Sequence, residues 1–242
     1  MAYSKLGLFA AVGVVALVTG CSSATNKGDA GVTDPGIDPN NPNKCADKNP
    51  AGDCYPTANQ GYNPRKGQVA GNRIPNFKFI GYRSANGAAT PSTGDTETIQ
   101  LADFFDPKGE KYKVIRVVVA SVWCGPCNQE TDYIVQNNLA TDLNGQGAVF
   151  LQALSDGPVV GTGATLGDLQ SWIGNHKSNF TSMLDPQVKN LGVFFPASAV
   201  PFNATIDARS MEILSVELGF NSQMKADVTK WISWVNANPP QQ

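Results

Sequence analysis

Cys124 and Cys127, held in Trp123-Cys124-Gly125-Pro126-Cys127, are two thiols separated by two residues, a spacing at which they can form and break a disulfide with each other. Before them runs Val114-Ile115-Arg116-Val117-Val118-Val119-Ala120, a β-branched stretch suited to the middle of a sheet. After them Thr131, Ile134, Val135 and Leu139 recur at helical spacing. The pair is therefore expected where a strand hands over to a helix. The first turn of a helix leaves N–H groups unpartnered and carries partial positive charge, which favours a thiolate at Cys124. Cys127, one turn further in, is expected to be more buried and to keep its proton. One sulfur would attack and the other would resolve. The competing chemistry is half a zinc site, but no second CxxC or Cys/His pair exists to complete four ligands.

The pentapeptide resembles the active-site motif of the thioredoxin family, and the resemblance runs over residues 70 to 238. Pro75-Asn76-Phe77 followed by a strand resembles the N-terminal strand of membrane-anchored bacterial members of the TlpA/ResA type. Glu130 matches the acid those proteins often carry three residues after the second cysteine. Val200-Pro201-Phe202-Asn203-Ala204-Thr205-Ile206-Asp207 resembles the family's cis-proline loop and the strand after it. The resemblance implies that Pro201 packs against the cysteines, and that the Val200 backbone and Trp123 form the substrate-binding rim. A mixed disulfide would then be held like an added strand.

Two departures from the family pattern bear on the chemistry. Thioredoxins proper place a buried acid in the strand before the motif, to handle the proton of the second cysteine; here Val118 stands at that place. Glu130, on the motif helix, is the expected substitute, set against the plain alternative of a solvated residue interacting with the helix dipole. The family often has Pro after the Glu, whereas this chain has Thr131, which predicts a straighter helix.

The N-terminus reads as a targeting segment over residues 1–20. Lys5 supplies the positive flank, and Leu6 to Val18 is apolar but well short of the roughly 20 residues a spanning helix needs. Leu17-Val18-Thr19-Gly20-Cys21 resembles the bacterial lipoprotein box, which implies cleavage before Cys21 and acylation of that residue. Ser22 and Ser23, with no Asp after the cysteine, resemble outer-membrane rather than inner-membrane lipoproteins of a Gram-negative cell. From 21 to 66 no Leu, Phe, Met or Trp appears. Such a stretch reads as a flexible tether with a reach on the order of 40 Å. Cys45 and Cys54 lie within it, flanking a turn at Asn49-Pro50-Ala51-Gly52. In an oxidising compartment they are expected to form a structural disulfide, with a second redox pair as the alternative.

Residues 67–242 are long enough for one domain with a substantial core. Phe77-Lys78-Phe79-Ile80, the Val114 run, Ala148 to Leu154, Phe202 to Ile206 and Met211 to Leu218 read as strands, the last two joined as a hairpin by Asp207-Ala208-Arg209-Ser210. Leu166, Leu169, Trp172 and Ile173 mark a helix capped by Thr165 with Asp168; Met224, Val228, Trp231, Ile232 and Val235 mark another, stopped by Pro239-Pro240. The expected fold class is α/β: a thioredoxin-like three-layer sandwich, a central mixed sheet flanked by helices, with a strand–helix insert between the CxxC helix and the cis-Pro loop. The single histidine, His176, is expected to be exposed to solvent.

These readings imply a lipid-anchored thiol–disulfide oxidoreductase in the bacterial cell envelope, facing the periplasm. It would exchange disulfides with protein substrates, more as reductant than oxidant, and be served by a membrane electron donor or acceptor. No cofactor beyond the Cys124–Cys127 disulfide and no metal is implied. With a net charge of −2 and no basic cluster, nucleic acid is not an expected partner. The alternative class is a non-catalytic binding module, or a copper-delivery protein that uses the same thiols.

Overall fold

The computed structural model describes residues 45–66, 71–193 and 199–239. The leader, Cys21 and the first half of the expected tether lie outside the described residues. Among those described, no helix is long and apolar enough to cross a membrane.

Seven strands form one mixed sheet in the order β2-β1-β5-β4-β3-β6-β7: β1 Lys78–Tyr82, β2 Glu97–Gln100, β3 Val114–Ala120, β4 Ala148–Leu154, β5 Thr181–Leu184, β6 Phe202–Asp207 and β7 Glu212–Leu218. β3 pairs parallel with β4 and antiparallel with β6, so the strand leading into the cysteines is central. All seven of its residues are buried, as are all seven of β4, which explains why both read as continuous apolar runs. The expected strand–helix insert is β4 and the helix after it, and β5 follows them, lying between β4 and β1. β5 was not expected from the sequence: four residues with two hydroxyls give no clear pattern.

The helices are α1 Gly125–Gln136, α2 Leu139–Asn144, α3 Leu166–His176 and α4 Met224–Ala237. Strand alternation separates two cores. Val114 and Val118 of β3 meet Ile134 of α1, Leu139 and Leu143 of α2, and Val228 and Ile232 of α4. Ala120 and Leu154, of the same parity, meet Leu169 and Trp172 of α3. On the opposite face Ile115, Val117 and Val119 meet Tyr55, Ile74, Leu101, Phe104 and Phe105. That layer is built from the segment before β1, the 3-10 turn Leu101–Phe104 and neighbouring loops. The straighter helix predicted from Thr131 ends at Gln136; Asn138, in the left-handed region (φ 51°), starts α2 in a new direction and carries Leu139. α3 has the expected cap, Thr165 and Asp168 each bonding the other's backbone N–H.

Residues 45–66 correct the tether reading. Tyr55 is buried, its hydroxyl donates to the Ile74 carbonyl (2.7 Å), and its ring meets Phe105 edge-on. Asn49 Nδ2 donates to the Phe105 carbonyl, and Arg65 pairs with Glu212. A polar segment with one well-placed aromatic thus becomes part of the domain, helped by the Cys45–Cys54 disulfide. Phe105 and Asp106 lie beside Ala208, at the end of the sheet where β3 begins. The clasp is therefore at the opposite end of the sheet from Cys124.

Candidate active site

β3 ends at Ala120, and Ser121 to Trp123 turn the chain into α1, whose N-cap is Cys124. Pro126 sits at the second helical position, where it has no intrahelical N–H bond to lose. Cys124 and Cys127 are joined as a disulfide, with Cys124 2% and Cys127 0% exposed. The Cys127 N–H points at Cys124 Sγ (3.2 Å). A thiolate formed there on reduction would meet that N–H and the positive end of the helix. Asn128 Nδ2 donates to the Cys124 carbonyl (2.8 Å) and to the Val122 carbonyl, fixing the turn.

The Val200–Pro201 bond is cis, and the Val200 carbonyl oxygen lies 3.4 Å from Cys124 Sγ. Residues distant in sequence are thus brought against the motif. Trp123 is 41% exposed beside the disulfide, with its indole N–H directed to Asp156.

Glu130 is buried, not solvated. It lies one turn beyond Cys127 on the same face of α1. Its Oε1 accepts from Asn203 Nδ2 (2.8 Å), and its Oε2 has no hydrogen-bond partner. Burial pushes its carboxyl from an ordinary 4.5 up to about 7, against the Asn203 bond and the Arg116 charge, which pull it down. Glu217 adds to the rise, and the nearby Asn221 backbone N–H opposes it without closing a hydrogen bond on Oε2.

Sequence reasoning missed the polar row beneath Glu130. In register, Gln152 of β4 lies opposite Val118 of β3, Val118 opposite Asn203 of β6, and Asn203 opposite Glu217 of β7. Val118 places no acid on β3 in this row, and Glu130 enters it from above. Arg116 is fully buried, donating to Thr205 Oγ1 (2.9 Å) and through both terminal nitrogens to Glu217 (3.2 and 2.9 Å). Burial raises the Glu217 carboxyl, and Arg116 together with the Asn221 and Ser215 side chains more than reverses that, leaving it below its ordinary value. On the other side Gln152 donates to Thr131 Oγ1 and accepts from the Trp172 indole, tying α1 to α3 through the sheet.

His176 is not the solvated residue expected. Its side chain is 9% exposed; Nδ1 lies 2.6 Å from Asp132 Oδ1 and Nε2 lies 3.1 Å from Asn128 Oδ1. α3 packs on α1 and brings the ring there, beside Trp172. Among the described residues no group of three His, Cys, Asp or Glu side chains is placed to hold a metal ion.

No protein-family model matches this sequence, and no curated protein matches it. Solved structures do. A proposed protein disulfide isomerase from Bacteroides thetaiotaomicron is 18% identical with a TM-score of 0.52, covering 74% of this chain and 94% of that one. A secreted thiol-disulfide isomerase from Corynebacterium glutamicum is 17% identical with a TM-score of 0.50, covering 72% of this chain and 97% of that one. At such identities the likeness establishes the fold: it is thioredoxin-like.

Proposed function

We propose that this chain is an exported thiol–disulfide oxidoreductase, lipid-anchored through Cys21, that exchanges disulfides with protein substrates and works mainly as a reductant. The observation that carries the reading is the Cys124–Cys127 disulfide at the mouth of α1, against cis-Pro201 and one helical turn from buried Glu130. The Cys124 thiolate attacks a substrate disulfide, forming a mixed disulfide and releasing one substrate thiolate, which takes a proton from water. The Glu130 carboxylate takes the proton of Cys127. The Cys127 thiolate then attacks Cys124 Sγ, closing the enzyme disulfide and releasing the second substrate thiolate. Two electrons pass to the substrate, and Glu130 ends protonated. The names borne by the two structural neighbours agree with disulfide exchange. The Gly-Pro pair between the cysteines, which resembles reducing thioredoxins, favours net reduction.

Insulin reduction driven by dithiothreitol tests the reading: the wild-type chain should accelerate it and Cys124→Ser should not. Equal inertness of the two would refute exchange. Equilibration with glutathione fixes the direction, a potential near about −270 mV supporting a reductant and one near about −120 mV an oxidant. Anchoring is tested separately. Cys21→Ala should move the protein from the detergent to the aqueous phase, and unchanged partitioning would refute acylation at that position.

A further inference from the structure

Two buried oxygens in the row beneath the cysteines have no partner, Glu130 Oε2 and Asn203 Oδ1. They belong to the two side chains already joined through their other arms, Asn203 Nδ2 donating to Glu130 Oε1 at 2.8 Å. Leaving either acceptor unsatisfied in a dry interior carries the desolvation penalty of that group with nothing to offset it. Two oxygens cannot bond to each other without a hydrogen, and one proton on Oε2 would satisfy both. An amide suits this role because it presents a donor and an acceptor side by side.

We propose that Asn203 is a positioning residue for the resolving step: while the Cys124–Cys127 disulfide is closed, Glu130 is a carboxylic acid whose Oε2–H donates to Asn203 Oδ1, completing a two-bond acid–amide ring. This rests on the exchange reading above, because the proton on Oε2 is the one taken from Cys127 when the disulfide forms. On reduction it returns to Cys127, and the carboxylate keeps the single bond from Nδ2.

The surroundings permit a neutral acid. From β3 the Arg116 guanidinium faces Glu130, but its charge is matched by Glu217 from β7, which it grips with both terminal nitrogens. β6 contributes only the Asn203 amide, and the segment before α4 only the Asn221 backbone N–H. On α1 itself Cys127 is in the disulfide and does not titrate. Among the described residues, the cation facing Glu130 thus has a carboxylate of its own, although its Nε–H has no hydrogen-bond partner and its charge still favours the ionised form. The upward displacement of Glu130 by burial agrees with this arrangement.

Infrared spectroscopy of the oxidised full chain at about pH 5 tests the ring, since Glu130 is then protonated if its carboxyl is raised as burial requires. The wild type should show a protonated-carboxyl C=O band that Glu130→Gln removes, and Asn203→Leu should shift that band to higher frequency through loss of both hydrogen bonds. A band that stays in place in folded Asn203→Leu, or no Glu130 acid band in the wild type, would overturn the proposal. Should Asn203→Leu fail to fold, the wild type alone decides. The Asn203 side-chain carbonyl carbon, assigned by NMR through its own Cβ, should move with pH in step with the Glu130 band, and a carbonyl that does not move would overturn it. These readouts need no turnover. An inert enzyme with the ring intact refutes exchange alone, and an active enzyme without the ring refutes this proposal alone.

Discussion

Glu130 joins stability and chemistry in one side chain. In an unfolded chain its carboxyl ionises near its ordinary 4.5, and in the fold near 7, because burial disfavours the charge. Between those values the folded state holds a proton that the unfolded state has lost. The stability this group contributes is therefore fully present below about pH 4.5, falls as pH rises through the window, and is gone above about pH 7. The oxidised wild type should lose roughly 3 kcal/mol relative to Glu130→Gln across that window in denaturant unfolding. Parallel pH curves for the two proteins would refute the assignment. Cys124, Cys127, Pro201 and Glu130 were all readable in the sequence because a fixed spacing or a loop order marks them. Asn203 was not. Phe202, Ala204 and Ile206 alternate as the inward face of β6, which by default turns Asn203 and Thr205 to solvent; here both faces of the strand are covered. The overlooked signal was Arg116, a charge inside a seven-residue apolar run, which has to find a buried partner.

At the scale of elements, the Arg116–Glu217 pair ties β3 to β7 across β6. Arg116 is wholly buried and Glu217 only partly so, which makes the two truncations unequal. Glu217→Ala strands a buried guanidinium and should cost about 3–5 kcal/mol. The double variant Arg116→Met, Glu217→Ala removes the stranded charge and should recover most of that loss in denaturant unfolding. Additive losses would show that the pair does not act as a unit. β3, β4 and the α3 cap were readable because continuous burial and a capping box leave strong local patterns. The α1–α2 break at Asn138 and strand β5 were not, since both depend on what packs against them: β4 and α4 on α2, and β1 beside β5.

For the molecule as a whole, composition placed the start of the domain too late. Among the described residues 45–66 Tyr55 is the one large apolar group buried in the core, and a single residue leaves no periodicity to read. A chain beginning at residue 44 is the reference for denaturant unfolding. One beginning at residue 67 should be less stable by at least about 3 kcal/mol, because the sheet face under Tyr55 would be open to water. Equal midpoints would restore the boundary read from composition.

The cover of that face is also an early part of the chain waiting on a late one. The Arg65 N–H bonds the Ile213 carbonyl, Gly71 bonds Glu212, and the Ile74 N–H bonds the Met211 carbonyl. As the chain is synthesised, Arg65, Gly71 and Ile74 therefore have no seat on this hairpin until it emerges well over a hundred positions later. Contacts spanning so much sequence are slow to form. Once β3 has emerged, a growing chain must keep this apolar face from sticking to its neighbours until the last two strands seal it.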